Sequence, residues 1–255
     1  VCLAGLMSSL SAAQDAGTEK VKVCTHPGAG FFERDASGAP SGLEHDLLSS
    51  FAAAAKVNLV FEHKPIFEDL IKETESGQCQ IGSSSVTVTP EREARLAFSN
   101  PYFPNRVVIV QKTASGFATA LDVKDKRIAV VKGTLSTGLV ASIPGAKSLV
   151  VDNDDAAFQA LLKGEADALA CDSAVVLHYL TRHTELGIAF ALGERSFFAF
   201  ALPRDSKLVG PLNDHLRSLA KSGAFTKMLA KHFGAENASF LAEDVAKASE
   251  KPRTR

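Results

Sequence analysis

GLEHDLLSSFAAAAKVNLVFEHK, residues 42–64, places a helical pattern directly against a strand pattern. Leu43, Leu47, Leu48 and Phe51 recur at helical spacing while Glu44, His45 and Ser49 fall elsewhere, which is the stripe of a helix lying on a sheet. NLVFEHK then reads as a β-rich run. The alternation extends both ways, through VKVCT (21–25) before it and IFEDLIKETESG (66–77), QIGSSSV (80–86), a short helix at Pro90 and RVVIVQK (106–112) after it. Such a series predicts an α/β fold in which helices flank a sheet.

A second, smaller set repeats the logic: RIAVVKG (127–133), TLSTGLVASI (134–143), SLVVDN (148–153), DDAAFQALLKG (154–164), DALACD (167–172), SAVVLHYLTRH (173–183) and IAFAL (188–192). The apolar strands RVVIVQK and FFAFALP (197–203) bracket it, so the chain leaves one lobe and returns through two extended connections that form a hinge. The expected division is a discontinuous first lobe, 21–111 plus 197–234, and a second lobe, 112–196. The first lobe closes with the helical region PLNDHLRSLAKSGAFTKMLAKHFG (211–234), broken at Gly223. From 235 to 255 the text turns polar and charged and is expected to be a frayed tail. A cleft between two α/β lobes takes its ligand at the C-terminal ends of the strands.

The chain has 255 residues, 45% hydrophobic and 22% charged, enough to bury one large core or two smaller ones. A net charge of -1 with intermingled signs argues against nucleic acid and points to small molecules or proteins as partners. VCLAGLMSSLSAAQDAG (1–17) reads as an apolar signal core followed by small residues, with residues 1–13 as a signal remnant and cleavage ahead of Gln14. No later apolar run reaches the roughly 20 residues needed to span a bilayer, so the expected location is the periplasm. Cys24, Cys79 and Cys171 lack metal-like spacing; a Cys24–Cys79 pair is open, with three buried thiols the expected state.

Chemistry concentrates in SSSVTVTPEREARLAFSNPY, residues 83–102. Thr89 is an N-cap with Pro90 at the first helical position, and Glu91 suits the helix dipole and reaches Arg95. Arg92 has no local partner, since Val88 and Leu96 flank it at i−4 and i+4. It is either a surface arginine or the anchor of an anion such as a ligand carboxylate, for which a guanidinium fork is suited. The junction VVKGTLSTG (130–138) offers backbone N–H groups and the hydroxyls of Thr134 and Ser136, or merely turns a corner. Asp172, at the end of an apolar strand, is either a helix cap or an acceptor for a ligand ammonium. The seven His residues are scattered, and there is no G-x-S-x-G elbow or P-loop, so a binder rather than an enzyme is expected, with no cofactor and no metal.

GLEHDLLSSFAAAAKVNLVFE, the run through TPERxxxxxFSxPY, RIAVVKGT, ALLKGEADALACDS and the closing SGAFTKMLAKHFG resemble, in that order, the periplasmic solute-binding proteins of amino-acid ABC transporters, family 3. The resemblance covers about residues 21–234 and implies the two-lobed type II fold, a monomer that closes on an amino acid and docks to an inner-membrane permease. It implies that Arg92 clamps the ligand α-carboxylate, and that Ser85 and Thr87 hold its α-amino and carboxylate groups. Thr134 and Leu135 would complete the carboxylate site from the second lobe, and Asp172 would receive the α-ammonium. Phe67 fits an apolar wall. Where many members carry Thr-Asp and then an aromatic, this chain has Thr25, His26, Pro27, Gly28 and Ala29. His26 in the acidic position predicts a neutral or acidic ligand rather than Lys, Arg or His. GAPSGLEHDLL and the HFG ending also resemble the sensory domain of membrane-bound lytic transglycosylases, and a related fold serves as a cyclohexadienyl dehydratase.

Overall fold

A computed structural model describes residues 19–250, apart from Ala29, Asp35, Ala36 and Thr181. The signal remnant, and the departure at Ala29 from the aromatic pattern, lie outside the described residues. The chain begins with β1 (Lys20–Thr25), a short hairpin of β2 (Glu33–Arg34) and β3 (Pro40–Ser41), and α1 (Leu43–Ala55). It continues through β4 (Asn58–His63), α2 (Phe67–Glu75), β5 (Ile81–Ser83), α3 (Pro90–Glu93) and β6 (Leu96–Phe98). After β7 (Phe103–Asn105) and β8 (Val107–Lys112) come β9 (Arg127–Val131), α4 (Leu135–Ala141), β10 (Lys147–Val151), α5 (Asp154–Lys163), β11 (Ala168–Asp172), α6 (Ser173–Leu180) and β12 (Leu186–Ala191). The chain returns through β13 (Ser196–Phe198) and β14 (Ala201–Pro203) to α7 (Val209–Lys221), α8 (Ala224–Phe233) and α9 (Ala235–Glu250).

Two five-stranded sheets result, in the orders β4-β1-β5-β14-β6 and β10-β9-β11-β8-β12, which is the two-lobed α/β architecture. α1 buries Leu43, Leu47, Leu48 and Phe51, as its spacing predicts, but it buries Glu44 as well. Its first turn packs against residues 31 and 32, and a Cβ on Gly42 would lie 2.3 Å from the Phe31 carbonyl oxygen, so only glycine fits.

Val107–Gln111, placed by the sequence division at the end of the first lobe, belong to β8, which is hydrogen-bonded into the second sheet antiparallel to both β11 and β12. The crossing between sheets instead consists of β7 and β13, paired antiparallel with Phe103 opposite Phe198 and Asn105 opposite Ser196. Phe31 packs edge-on against Phe103 and Phe198, with centroids 4.9 and 5.4 Å away, so both hinge strands are seated on the first lobe's core.

Two further expectations are corrected. The stretch from 235 is helical through Glu250: Ala238 and Val245 are buried and Leu241 and Ala242 half-buried, a helical stripe whose short side chains hid it within a polar composition. Asp244 of α9 also pairs with Arg195, just before β13. Cys24 and Cys79 form a disulfide rather than two thiols, because β1 and β5 are neighbours and bring the two Cα atoms to 5.7 Å. Cys171 remains a free thiol in the second lobe's core. Among the described residues no helix is long and apolar enough to cross a membrane.

Candidate functional site

The strand ends of the two sheets face one another across a narrow cleft that, with its solvent-open mouth included, encloses about 480 Å³ of space. All eight residues singled out from the sequence line it: His26, Phe67, Ser85, Thr87 and Arg92 from the first lobe, and Thr134, Leu135 and Asp172 from the second. Asp154, which the sequence reading passed over, lines it too.

Arg92 is placed by its local sequence. Thr89 caps the one-turn helix α3 by accepting the Arg92 N–H at 3.2 Å, and Pro90 occupies the first helical position. A helix N-terminus disfavours a cation, but one turn carries little dipole, so Arg92 costs little there. The guanidinium turns inward, with the residue only 7% exposed, over the Phe67 ring 5.2 Å away. It donates to the Thr87 carbonyl at 2.8 Å and, across the cleft, to the Gly133 carbonyl at 3.0 Å. Burial lowers its pKa, and the charge of Asp172 opposes that shift. Arg95, by contrast, pairs with Glu75 at 2.5 Å and Glu91 at 3.5 Å on the outside.

The lobes touch beside Arg92. Gly133, at φ 75°, leaves 3.1 Å between an added Cβ and that of Glu68, and Lys132 reaches Glu68 at 3.4 Å. Thr134 directs its hydroxyl to the Val131 carbonyl at 2.8 Å and its N–H to the same oxygen at 3.3 Å, so both donors serve its own turn.

Among the described residues, two buried polar atoms facing the cavity lack a partner: His26 Nε2 and Ser85 Oγ. His26 Nδ1 lies 3.0 Å from the Lys64 carbonyl, which can only accept, so the proton sits on Nδ1 and Nε2 is a bare acceptor. Burial lowers the His26 pKa and keeps the ring neutral. An unpaired buried acceptor and hydroxyl are costly unless a ligand satisfies them.

The second lobe contributes negative charge. Asp172, at the end of β11, accepts from Asn105 Nδ2 of the hinge at 2.5 Å. Burial pushes its carboxyl up to about 6, against that hydrogen bond and the pull of Arg92. Asp154 opens α5 behind an Asn153 cap. Burial, with Asp172 and Asp155 nearby, pushes it up to about 7. In the sequence DDAAFQALLKG it looked like an ordinary acidic first turn; only the fold of β10 into α5 brings it beside Asp172. One group of three residues has metal-like proximity among the described residues, Cys24, Glu73 and Cys79, and its two sulfurs are joined to each other.

Residues 21–235 match the bacterial extracellular solute-binding proteins, family 3, and the chain belongs to that family. It is 27% identical to the probable histidine-binding protein of Neisseria gonorrhoeae, over 82% of this chain and 80% of that one. The structure of an ancestral arginine-binding protein bound to arginine superposes with a TM-score of 0.79 at 28% identity, covering 84% of this chain and 98% of that chain. The chain also matches the membrane-bound lytic murein transglycosylase F of Alteromonas mediterranea, 26% identical over 85% of this chain but only 50% of that protein.

Proposed function

We propose that this protein captures an amino acid in the interlobe cavity, outside the cytoplasm, and presents it as a closed monomer to the permease of an ABC transporter. The observation that carries the reading is one cavity with opposite charges on opposite walls: Arg92 on the first lobe, Asp154 and Asp172 on the second. A zwitterion spanning the cleft satisfies both walls, so binding favours the closed arrangement. Arg92 takes the α-carboxylate and Asp172 the α-ammonium, while Ser85 Oγ and His26 Nε2 gain partners.

The neutral or acidic ligand expected from His26 is given up. One guanidinium and two carboxylates leave the empty cavity with net negative charge when all three are ionised, and a ligand of net charge +1 neutralises it. Asp154 supplies, from the opposite lobe, the acidic group that His26 replaces at the end of β1. The names of the histidine-binding relative and the arginine-bound structure agree with a cationic ligand. Calorimetric titration with L-arginine, L-histidine, L-lysine and L-glutamine tests the reading, and absence of binding by every one of them rejects it.

Asp154→Asn is expected to weaken L-arginine binding by about tenfold or more, the scale of one charge-assisted hydrogen bond, while L-glutamine changes less than about threefold. Equal losses for the two ligands would remove Asp154 from the side-chain site. The pH dependence has a defined sign. Asp154 at about 7 and Asp172 at about 6 both lie above the ordinary 3.8, so the ligand-free fold holds protons that the unfolded chain has released. Their contribution to stability is therefore most favourable below about pH 4 and declines as pH rises to about 7. A bound cation favours the ionised carboxyls, so L-arginine affinity should weaken by about tenfold or more from pH 7.5 to 5, with proton release on binding. A flat profile across that window contradicts the assignment.

The half-length match to the transglycosylase supports a second reading, in which the same cavity serves as a sensor. Binding of peptidoglycan fragments in preference to every free amino acid would favour it.

A further inference from the structure

Glu44 is completely buried in α1, off the apolar stripe, and the binding reading above leaves it without a task. Three donors converge on its carboxylate. Ser83 Oγ donates to Oε2 at 2.8 Å, the Ser85 backbone N–H donates to Oε1 at 2.5 Å, and the Tyr102 hydroxyl donates to Oε1. Ser85 is one of three described non-glycine residues with positive φ, at 49°, a conformation unfavourable for a side chain that must be held from outside. The hydroxyl so placed is the unpartnered Ser85 Oγ of the ligand cavity. Its neighbour Ser84 is tied to the His26 carbonyl at 3.2 Å, so the same loop also supports the His26 wall.

We infer that Glu44 is a positioning residue for the ligand site: it holds the Ser83–Ser85 loop in the left-handed conformation that aims Ser85 Oγ at the ligand. Tyr102 precedes the hinge strand β7, and its backbone N–H donates to the Phe198 carbonyl of β13 at 2.9 Å, so Glu44 also joins the ligand loop to the hinge. Burial raises the Glu44 pKa, against its three hydrogen bonds, in keeping with a group placed for its donors rather than for solvent. The inference rests on the amino-acid-binding reading for its affinity test, but not for its structural one.

The experiment compares Glu44→Ala, Glu44→Gln, Ser85→Gly and the double variant Glu44→Ala/Ser85→Gly by L-arginine calorimetry, with amide exchange measured on the ligand-free chains. Glu44→Ala is expected to weaken binding by about tenfold or more through loss of the loop's hydrogen bonds. Glu44→Gln should stay within about threefold of the parent, since its carbonyl can accept from Ser85 and Tyr102 and its amide can donate to Ser83 Oγ. Glycine adopts positive φ without a buttress, so in the Ser85→Gly background the Glu44→Ala change should add less than about twofold. Parent-like affinity in Glu44→Ala, or losses that simply multiply in the double variant, overturns the proposal. If Glu44→Ala does not fold, Glu44→Asp, one methylene too short to reach all three donors, takes its place with the same criteria. If the parent binds none of the amino acids, the functional reading fails separately and exchange decides: faster exchange confined to residues 83–85 in Glu44→Ala upholds the positioning role, and unchanged exchange there overturns it.

Discussion

Arg92→Ala is expected to lower affinity for L-arginine and for the other amino acids of the panel by about a hundredfold or more, with the fold retained. The size follows from removing one partner of a buried, charge-assisted pair, a change of about 2–5 kcal/mol. Loss should be uniform across ligands, because the α-carboxylate is common to all of them, whereas Asp154→Asn should discriminate among side chains. Stability should fall far less, by about 1–2 kcal/mol, as the Thr87 and Gly133 carbonyls lose their donor while the desolvation of a 7%-exposed guanidinium is relieved. The measurement is a calorimetric Kd beside a thermal melt. A Kd within threefold of the parent would move the carboxylate site elsewhere.

Removing the Cys24–Cys79 disulfide is the largest expected change in stability. The cross-link spans 55 residues, and the chain-entropy relation for a loop of that length corresponds to about 4 kcal/mol of restriction on the unfolded chain. At about 2–4 °C per kcal/mol for a domain of this size, the double alanine variant or the reduced protein should melt about 8–16 °C lower. An identical denaturation midpoint with and without reductant would show that the bond is absent in solution or inconsequential. The bridge also borders the site: Thr25 and His26 follow Cys24, and the Ser83–Ser85 loop follows Cys79 by one short strand. Amino-acid affinity should therefore weaken on reduction, though less than in Arg92→Ala.

Periodicity and capping chemistry were enough to place most helices and strands, and to put Thr89, Pro90 and Arg92 at a helix start whose geometry the structure reproduces. A threonine cap, a proline and an apolar stripe act over a few residues, so their physics is written in neighbouring letters. The same reach explains the errors. Val107–Lys112 is an apolar strand wherever it goes, and its membership of the second sheet depends on β11 and β12, more than fifty residues downstream. Residues 235–250 look too polar to fold until α8 and β7 offer a surface that covers Ala238 and Val245.

The site divides in the same way. Arg92, Ser85, Thr87, Phe67, His26, Thr134, Leu135 and Asp172 could be proposed from local pattern and family resemblance, and the fold gathers them around one cavity. Asp154 and Glu44 could not, because an aspartate in a first helical turn and a glutamate off an apolar stripe are ordinary letters on solvated faces. Asp154 gains significance only beside Asp172, and Glu44 only where Ser83, Ser85 and Tyr102, each at least 39 residues away, converge on it. Charge, burial and hydrogen-bond satisfaction are properties of such assembled neighbours. Short-range order was therefore legible in the chain itself, while the placing of Asp154 beside Asp172, the disulfide and the contacts of Glu44 with Ser83, Ser85 and Tyr102 were decided by neighbours that meet only once each lobe has folded.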